Sequence, residues 1–322
     1  MEKCLTIGPL SARPGEKVQG MVPVYDTGAS FPVTLVNGAR EGKTVLITSG
    51  VHSCEYCGIQ AAIELAGELD PARISGRVIL CHPLNRTGFE AKTPNLVPED
   101  GKNLNRVYPG DRNGTLTDQI AFLQTEVFQS QADFYLDLHC GEVHDQLTPY
   151  VYYVGATDPE VCEASQRAAL AVDVPYMVKS MATTGAYNSA GVRGVPSILL
   201  ERGCGGDWDP ETVALYKQDV RNVLRHLGVL PGDPAPCHPQ DLVDLVYLDT
   251  EVAGCWYPAV DAGGRFAKGQ KLGEIRDYFG NTLKTYYARY DGVVLYRTSS
   301  LWIEEGGGIV CYGRPAEGDF RG

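Results

Sequence analysis

Residues 48–64 have the sequence Thr48-Ser-Gly-Val-His52-Ser-Cys-Glu55-Tyr-Cys-Gly-Ile-Gln-Ala-Ala-Ile-Glu64, in which a histidine and a glutamate come just before an apolar segment. The apolar run over 44–48 is typical of a buried strand, and 58–66 has the apolar spacing of a helix. His52 and Glu55 therefore fall on the turn between a strand and a helix. In a parallel α/β sheet, ligands bind at such turns, beyond the carboxyl ends of the strands.

An imidazole and a carboxylate three residues apart can reach one metal ion from the same turn, and zinc accepts both ligand types. An isolated His-x-x-Glu has a second interpretation, which is a solvated histidine beside a glutamate that the helix dipole favours. The pair therefore predicts a metal site only if ligands from elsewhere in the chain complete it.

Two later segments also end in polar residues where a strand should stop. The segment 134–142 contains Asp137 and His139, which share a face because side chains alternate along a strand, so Asp137 could support a His139 ligand. The segment 195–201 is a second buried strand that ends in Glu201. The carboxyl ends of these strands should meet at one edge of the sheet.

Four residues would gather at that edge: His52, Glu55, His139 and Glu201. Three ligands and an open coordination position make a catalytic zinc site, and the remaining glutamate would then act as the base toward water. Taken singly, each residue also has an ordinary structural interpretation. Glu201 could pair with Arg202, and His139 could be a hydrogen-bonded histidine of the interior.

Other segments predict a mixed but largely parallel sheet. Residues 1–40 carry short alternating segments that favour antiparallel strands at one edge. Further predicted elements are strands over 76–81 and 150–154 and helices over 117–128, 159–172 and 210–227. Between them, 82–110 is a long polar loop with four prolines, and loops of this length in a compact domain tend to be functional.

The composition is that of a globular protein, with 43% hydrophobic and 21% charged residues, and the length of 322 residues predicts two domains, one of them larger than average. The net charge of −12 argues against nucleic-acid binding, which needs clustered Lys and Arg. No window approaches the ~18 apolar residues of a membrane span, and the apolar segment over residues 1–9 is shorter than we expect of a signal peptide. We therefore expect a cytoplasmic protein with reduced cysteines, no membrane or nucleic-acid partner, and a homo-oligomer as one option.

A proline-rich linker divides the chain. We predict a catalytic domain over 1–232, a linker over 233–240 and a β-rich domain over 241–322. The last segment is rich in glycine and contains two related strand-turn-strand units, which favour a small all-β barrel or sandwich. It is similar to biotinyl and lipoyl folds but lacks their lysine tip, so no attached cofactor is expected.

Four motifs follow one another in the chain: His52-x-x-Glu55, Asn103-Leu-Asn105-Arg106 with Pro109-Gly110, Asp137-Leu-His139, and Leu200-Glu201-x-Gly203. Together they resemble the succinylglutamate desuccinylase/aspartoacylase family, a branch of the zinc carboxypeptidase-like hydrolases. The resemblance covers about residues 40 to 230. It implies a three-layer α/β/α zinc-peptidase-like domain, followed by the small all-β domain.

The resemblance also implies roles. His52, Glu55 and His139 would bind one Zn²⁺ per chain, and Glu201 would be the general base and then the proton donor. Asn105 and Arg106 would hold a substrate carboxylate, since a guanidinium offers it two parallel hydrogen bonds. An alternative for Arg106 is a salt bridge that stabilises its loop.

The chain departs from the family pattern at two arginines. The family carries an arginine for the oxyanion in the loop before the Asn-Arg pair, whereas here Lys92 is the only cation between Phe89 and Asp100. A second family arginine, shortly before the catalytic glutamate, has Arg193 as its nearest candidate. We therefore assign the oxyanion to Lys92 and a substrate contact to Arg193 as hypotheses.

The function that these residues favour is zinc-dependent hydrolysis of the amide bond of a small N-acyl amino acid or a related carboxylated amide. Two alternatives stay open: a zinc carboxypeptidase, and a metal-containing module that binds a ligand without turnover. The intact Glu201 argues against the binding module, because a binder has no need of a base beside the metal.

Overall fold

A large mixed β-sheet forms the centre of the structure, a computed structural model that describes residues 4–316. The strands are β1 (Leu5–Ile7), β2 (Leu10–Ala12), β3 (Glu16–Pro23), β4 (Ser30–Asn37), β5 (Arg40–Ser49), β6 (Ser75–Cys81), β7 (Leu96–Val97), β8 (Lys102–Asn103), β9 (Phe134–His139), β10 (Asp145–Leu147), β11 (Tyr150–Val154), β12 (Tyr176–Ser180), β13 (Ser197–Glu201), β14 (Gln240–Asp249), β15 (Gly254–Pro258), β16 (Arg265–Phe266), β17 (Lys271–Arg276), β18 (Thr282–Tyr287), β19 (Gly292–Thr298), β20 (Trp302–Ile303) and β21 (Gly308–Pro315). The α-helices are α1 (Tyr56–Glu68), α2 (Arg86–Ala91), α3 (Leu116–Leu123), α4 (Pro159–Ala169), α5 (Ala186–Val192) and α6 (Pro210–His226).

The sheet has the strand order β10-β19-β21-β14-β12-β11-β13-β9-β5-β6-β4-β3. The pairs β6-β5, β5-β9 and β9-β13 are parallel, as are β11-β12 and β12-β14. The pair β13-β11 is antiparallel, and so are the pairs at the two ends of the sheet. The prediction of a mixed α/β sheet with antiparallel strands from residues 1–40 at one edge is confirmed, but the sheet is not largely parallel, because β10, β19 and β21 extend it through antiparallel pairs.

Apolar residues cover both faces of this sheet. Along β5, Val45 and Ile47 belong to a core cluster that includes apolar residues of α1, α4 and α6, whereas Leu46 belongs to a second cluster with residues of α3 and α5. The alternation follows from the two-residue period of a strand. Burial on both faces explains why 44–48 is a continuous apolar run.

The segment 82–110 is more ordered than the sequence suggested. It contains α2, the short hairpin of β7 and β8, and a single 3-10 turn at Leu104–Arg106. Asn85 caps α2 by accepting a hydrogen bond from Gly88 N at 3.0 Å, and Val97 and Leu104 are buried in the second core cluster. Burial of the Val97 and Leu104 side chains in this cluster holds the segment 82–110 against the rest of the protein.

Residues after 240 extend the central sheet and add a second one. Strand β14 pairs with β12, while β15, β17, β18 and β20 form a four-stranded sheet. Trp256, Ile275 and Tyr286 of the small sheet share a core cluster with Val294 and Tyr312 of the extension. The small sheet therefore packs against the C-terminal extension of the central sheet through a shared apolar core.

The described residues 4–316 contain no helix that is both long and apolar enough to cross a membrane.

Candidate active site

Three predicted ligands meet beyond the ends of β5 and β9. One side-chain donor atom from each of His52, Glu55 and His139 lies within 4.8 Å of the other two, and all three residues are buried. His52 Nδ1 is 2.7 Å from Glu55 Oε1, and His139 Nδ1 is 2.9 Å from Glu55 Oε2. The two rings thus present their Nδ1 atoms toward the same carboxylate.

The other nitrogen of each ring is held by a neighbouring oxygen. His139 Nε2 lies 3.1 Å from Asp137 Oδ2, and His52 Nε2 lies 3.2 Å from Asn103 Oδ1. Asp137 is itself oriented by Thr48, whose hydroxyl donates to Oδ1 at 2.5 Å. These oxygens fix the orientation of the two rings and leave the Nδ1 atom of each ring for a metal ion.

The electrostatics of the cluster suit a bound cation. Burial acts to raise the pKa of Glu55, but His139 and His52 outweigh it and lower that pKa below its ordinary value. Burial lowers the pKa of His139, but the charges of Glu55 and Asp137 outweigh it and raise that pKa well above the usual range. The carboxylates of Glu55 and Asp137 thus favour a positive charge at the metal cluster. A His-Glu-His donor set with oriented rings fits a divalent ion such as zinc.

Glu201 stands next to His139 in the sheet. The strands β9 and β13 place the two residues opposite each other in register. Glu201 Oε2 is buried and has no hydrogen-bond partner among the described residues. Arg202 could have paired with Glu201, but it forms an ion pair with Asp219 instead, with 2.8 Å between Arg202 Nε and Asp219 Oδ2. Glu201 therefore keeps a carboxylate oxygen for a ligand or a reacting group.

Burial raises the pKa of Glu201 well above its ordinary value, and the nearby charge of Glu55 raises it further. His139 acts in the opposite direction, as any cation at the metal cluster would. Burial thus favours the protonated carboxyl group and a cation at the cluster favours the carboxylate, and acid-base catalysis uses both forms.

A cavity of about 400 Å³ opens above the cluster and Glu201. Its lining residues come from both parts of the chain: His52, Glu55, Asn105, Arg106, His139, Cys140, Gly141, Glu142, Asp145, Leu147, Tyr150, Tyr152, Ser180, Ala182, Tyr187, Asn188, Leu199, Glu201, Tyr247 and Tyr296. Tyr247 and Tyr296 belong to β14 and β19, and the Tyr247 hydroxyl lies 3.2 Å from that of Tyr152. The C-terminal region therefore forms part of the cavity wall.

The predicted carboxylate-binding pair lines this cavity. Asn105 Oδ1 accepts a hydrogen bond from Ala186 N at 2.8 Å, which fixes the side-chain amide and leaves its NH₂ group as the donor for a ligand. Arg106 is exposed and forms no ion pair with a carboxylate in the part of the chain described. The alternative of a loop-stabilising salt bridge is thus not seen.

Lys92 and Arg193 lie away from the cavity. Lys92 ends α2 and lines a separate surface depression with Tyr56, Phe89 and Trp208. Arg193 ends α5 and donates to Glu126 Oε1 at 2.8 Å on the surface. The structure does not bring either residue together with the other predicted site residues.

Several cavity residues were missed by the sequence reasoning. Glu142 lies three residues after His139, and this spacing is the only feature of the nearby sequence that could have placed it near the site. Asn103 does not line the cavity but contacts His52 Nε2, and its place in the Asn103-Leu-Asn105-Arg106 motif did not indicate this role. Tyr247 and Tyr296 carried no signal, because only the pairing of β14 with β12 and of β19 with β10 brings them to the site.

Comparison with known proteins agrees with this geometry. The model of the succinylglutamate desuccinylase/aspartoacylase catalytic domain matches residues 41–227, more than half of the chain. The chain belongs to this family. The resemblance that the four motifs carried is confirmed, and family membership places the chain among deacylating hydrolases.

Known proteins resemble the chain over most of its length. The N-alpha-acetyl-L-2,4-diaminobutyric acid deacetylase of Halomonas elongata is 31% identical over 297 residues, which are 89% of this chain and 86% of the relative. The crystal structure of succinylglutamate desuccinylase/aspartoacylase from Rhodobacter sphaeroides has a TM-score of 0.84 and 26% identity, covering 93% of this chain and 95% of the other. The product-bound ectoine utilization protein EutE (DoeB) from Ruegeria pomeroyi has a TM-score of 0.84 and 27% identity, covering 92% and 95%.

Proposed function

We propose that this protein is a zinc-dependent deacylase that hydrolyses the amide bond of a small N-acyl amino acid. The observation that carries the proposal is the buried His52-Glu55-His139 cluster with the unpartnered carboxylate of Glu201 beside it. The Halomonas elongata relative, named as a deacetylase of an acylated amino acid, supports removal of an acyl group from an amino acid over cleavage of peptides.

His52 and His139 would hold the zinc ion through Nδ1, and Glu55 through its carboxylate. The chemistry supplied by a zinc ion bound there is Lewis acidity, which polarises a carbonyl and lowers the pKa of water from ~15.7 to about 7. Asp137 and Asn103 keep the two rings in place by their contacts with the Nε2 atoms.

Glu201 moves the proton. Its free Oε2 atom accepts a proton from the attacking water as the new C–O bond forms on the acyl carbonyl carbon. The carboxyl group holds this proton in a buried environment that favours its neutral form. It then donates the proton to the amine nitrogen as the C–N bond breaks, so that a carboxylic acid and a free amine leave the site.

Arg106 and Asn105 would bind the carboxylate of the amino-acid part. Both line the cavity, and a guanidinium with an amide NH₂ group supplies three donors to one carboxylate. The oxyanion role of Lys92 and the substrate contact of Arg193 gain no support from their positions outside the cavity. Arg106 is the one Arg or Lys among the described residues that line it.

We further propose that residues 1–232 form a three-layer α/β/α domain of the zinc-peptidase type, joined by 233–240 to a barrel-sandwich domain over 241–322. The core clusters on both faces of the sheet support the three layers. All ten cysteines are free thiols, which supports a cytoplasmic location. Tyr247 and Tyr296 give the C-terminal domain a role as a wall of the site.

The proposal can be tested on a single preparation of the protein. Zinc content is measured together with hydrolysis of N-acetyl and N-succinyl amino acids and of dipeptides, before and after chelation. We expect about one zinc per chain and amine release from the acyl amino acids, lost with the chelator and regained with zinc. Zinc without hydrolysis of any substrate would favour a binding module, faster cleavage of dipeptides would favour a carboxypeptidase, and absence of metal would refute the ligand assignment.

A further inference from the structure

A chain of buried polar side chains begins at Asp137 and runs away from the metal cluster. Thr48 lies opposite Asp137 in the pairing of β5 with β9, and its hydroxyl is 2.5 Å from Asp137 Oδ1. The Thr48 hydroxyl also lies 2.6 Å from that of Tyr135, which is two residues before Asp137 and on the same face of β9. Tyr135 belongs to the core cluster that includes residues of α3 and α5, so the chain enters that helical layer.

Two further residues extend the chain within this layer. Gln124 follows the last residue of α3, and its Nε2 atom lies 2.9 Å from the Tyr135 hydroxyl. The Oε1 atom of Gln124 accepts a hydrogen bond from the Tyr108 hydroxyl. Thr48, Gln124 and Tyr135 are fully buried, and Tyr108 is 3% exposed. Each polar group therefore depends on its neighbour in the chain for a hydrogen-bond partner.

The chemistry of these groups fixes the direction of every hydrogen bond in the chain. A carboxylate oxygen only accepts, so the single hydroxyl proton of Thr48 goes to Asp137, and Tyr135 has to donate to Thr48. The Tyr135 hydroxyl then accepts from Gln124, whose NH₂ group must face it. This leaves Gln124 Oε1 as the acceptor for Tyr108. All four donors therefore point toward Asp137.

The chain acts on the side of Asp137 that faces away from the metal cluster. Asp137 accepts the hydrogen bond from Thr48 on Oδ1, while its Oδ2 atom lies 3.1 Å from His139 Nε2. Burial raises the pKa of Tyr135 and that of Tyr108 well above their ordinary values, so both hydroxyls keep the protons that they donate. Successive hydrogen bonds in a buried environment polarise and strengthen one another. The position of Asp137 thus depends on groups well behind it.

We propose that the four donors, Thr48, Tyr135, Gln124 and Tyr108, are positioning residues that raise the zinc affinity of the site through Asp137 and His139. The inference rests on the proposed function, in which His139 holds the zinc ion. A carboxylate fixed from behind keeps its contact with Nε2 of the ring and leaves Nδ1 directed at the ion. The described residues that line the cavity include none of the four donors, so their effect reaches the site only through Asp137.

The first test measures the dissociation constant for zinc on the full chain, by competition with a chromophoric chelator. Thr48→Val keeps the shape of the side chain and removes the donor to Asp137, and it should weaken zinc binding about 10-fold or more. Tyr135→Phe removes the next donor and should weaken binding about 5-fold, the effect of one hydrogen bond. Thr48→Ser keeps the hydroxyl and should bind zinc nearly as tightly as the unaltered protein.

Two matched variants serve as controls, because they remove fully buried hydroxyls that lie outside the chain. Thr34→Val loses a contact of 2.9 Å with His82 Nε2, and Tyr312→Phe loses a hydrogen bond of 3.4 Å from Arg289 N. Both should leave the zinc dissociation constant unchanged. An equal loss of zinc affinity in the controls would show a general effect of removing buried hydroxyls, and it would refute the inference.

The second test combines Thr48→Val with Tyr135→Phe. Because Tyr135 acts through Thr48, the double variant should bind zinc about as tightly as Thr48→Val alone, whereas two independent effects would multiply. Multiplied losses, or zinc affinity unchanged in both single variants, would refute the inference while zinc binding by the unaltered protein still supports the proposed function. If the unaltered protein binds no zinc, both fail. If Thr48→Val does not fold, the comparison of Tyr135→Phe with Tyr312→Phe decides.

Discussion

Asp137 Oδ2 lies 3.1 Å from Nε2 of His139, on the side of the ring opposite the atom that faces Glu55. The two residues belong to the same strand and are separated by one residue, so the pleat of β9 itself holds the carboxylate behind the histidine. The strand thus supplies a ligand together with the group that orients it.

Asp137→Asn should weaken zinc binding about 10- to 100-fold, because outer partners of a metal-bound histidine contribute this much. Competition with a chromophoric chelator measures the dissociation constant. Asp133→Asn, in the residue just before the same strand, is the control and should leave zinc affinity unchanged, since the Asp133 carboxylate accepts a hydrogen bond from Thr44 N at 2.8 Å and does not contact the metal cluster. Unaltered zinc affinity in Asp137→Asn would contradict the orienting role.

Glu201→Gln should lower kcat about 10²- to 10⁴-fold while zinc content stays near that of the unaltered protein. The amide keeps the shape of the side chain but cannot take up the proton. Measurement of zinc content and kcat on the same sample separates proton transfer by Glu201 from metal binding by Glu201. Loss of zinc together with activity would make Glu201 a ligand, and full activity would remove it from the mechanism.

Arg106→Lys should lower kcat/KM about 10- to 100-fold, although the charge is kept, because lysine cannot give a carboxylate two parallel hydrogen bonds. Steady-state kinetics on the best acyl amino acid measures the effect, which should fall mainly on KM. Arg112→Lys, at an arginine that lies over the Tyr25 ring outside the cavity, serves as the comparison. Equal kinetics in the two variants would exclude Arg106 from substrate binding.

Lys217→Met should reduce the free energy of unfolding by at most about 1 kcal/mol at pH 7. Lys217, on α6, pairs with Glu64 and lies 2.8 Å from Glu68 Oε1, so it links α6 to α1. The hydrogen bond from Lys217 lowers the pKa of Glu64 below its usual value. The stabilisation is therefore present above the unfolded pKa of about 4.3 and is lost as the pH falls through the lower folded pKa.

Urea unfolding of Lys217→Met and the unaltered protein at pH 7 and pH 4 checks this linkage. The difference between the two proteins should shrink at pH 4, and also in 1 M salt at pH 7, because these side chains are partly exposed and salt screens them. A difference that is constant with pH and salt would mean that the lysine stem stabilises the helices by packing alone.

The apolar periods of the sequence predicted the strands and helices, the turn that carries His52 and Glu55, and the strand ends at His139 and Glu201. These signals are local, because a two-residue or 3.6-residue apolar period depends only on which face of an element is buried. Together with the motif order, they were sufficient to predict the metal cluster and the family, and the structure and the comparisons agree.

The tertiary structure alone decided which side chains share the cavity. Lys92 and Arg193 were chosen by their distance along the chain, but the helix ends that carry them face other surfaces. Tyr247 and Tyr296 are remote in sequence and reach the cavity because the C-terminal strands extend the sheet. The physical reason is that periodicity fixes which face of a strand is buried, whereas the neighbours of that strand depend on contacts between residues far apart in the chain.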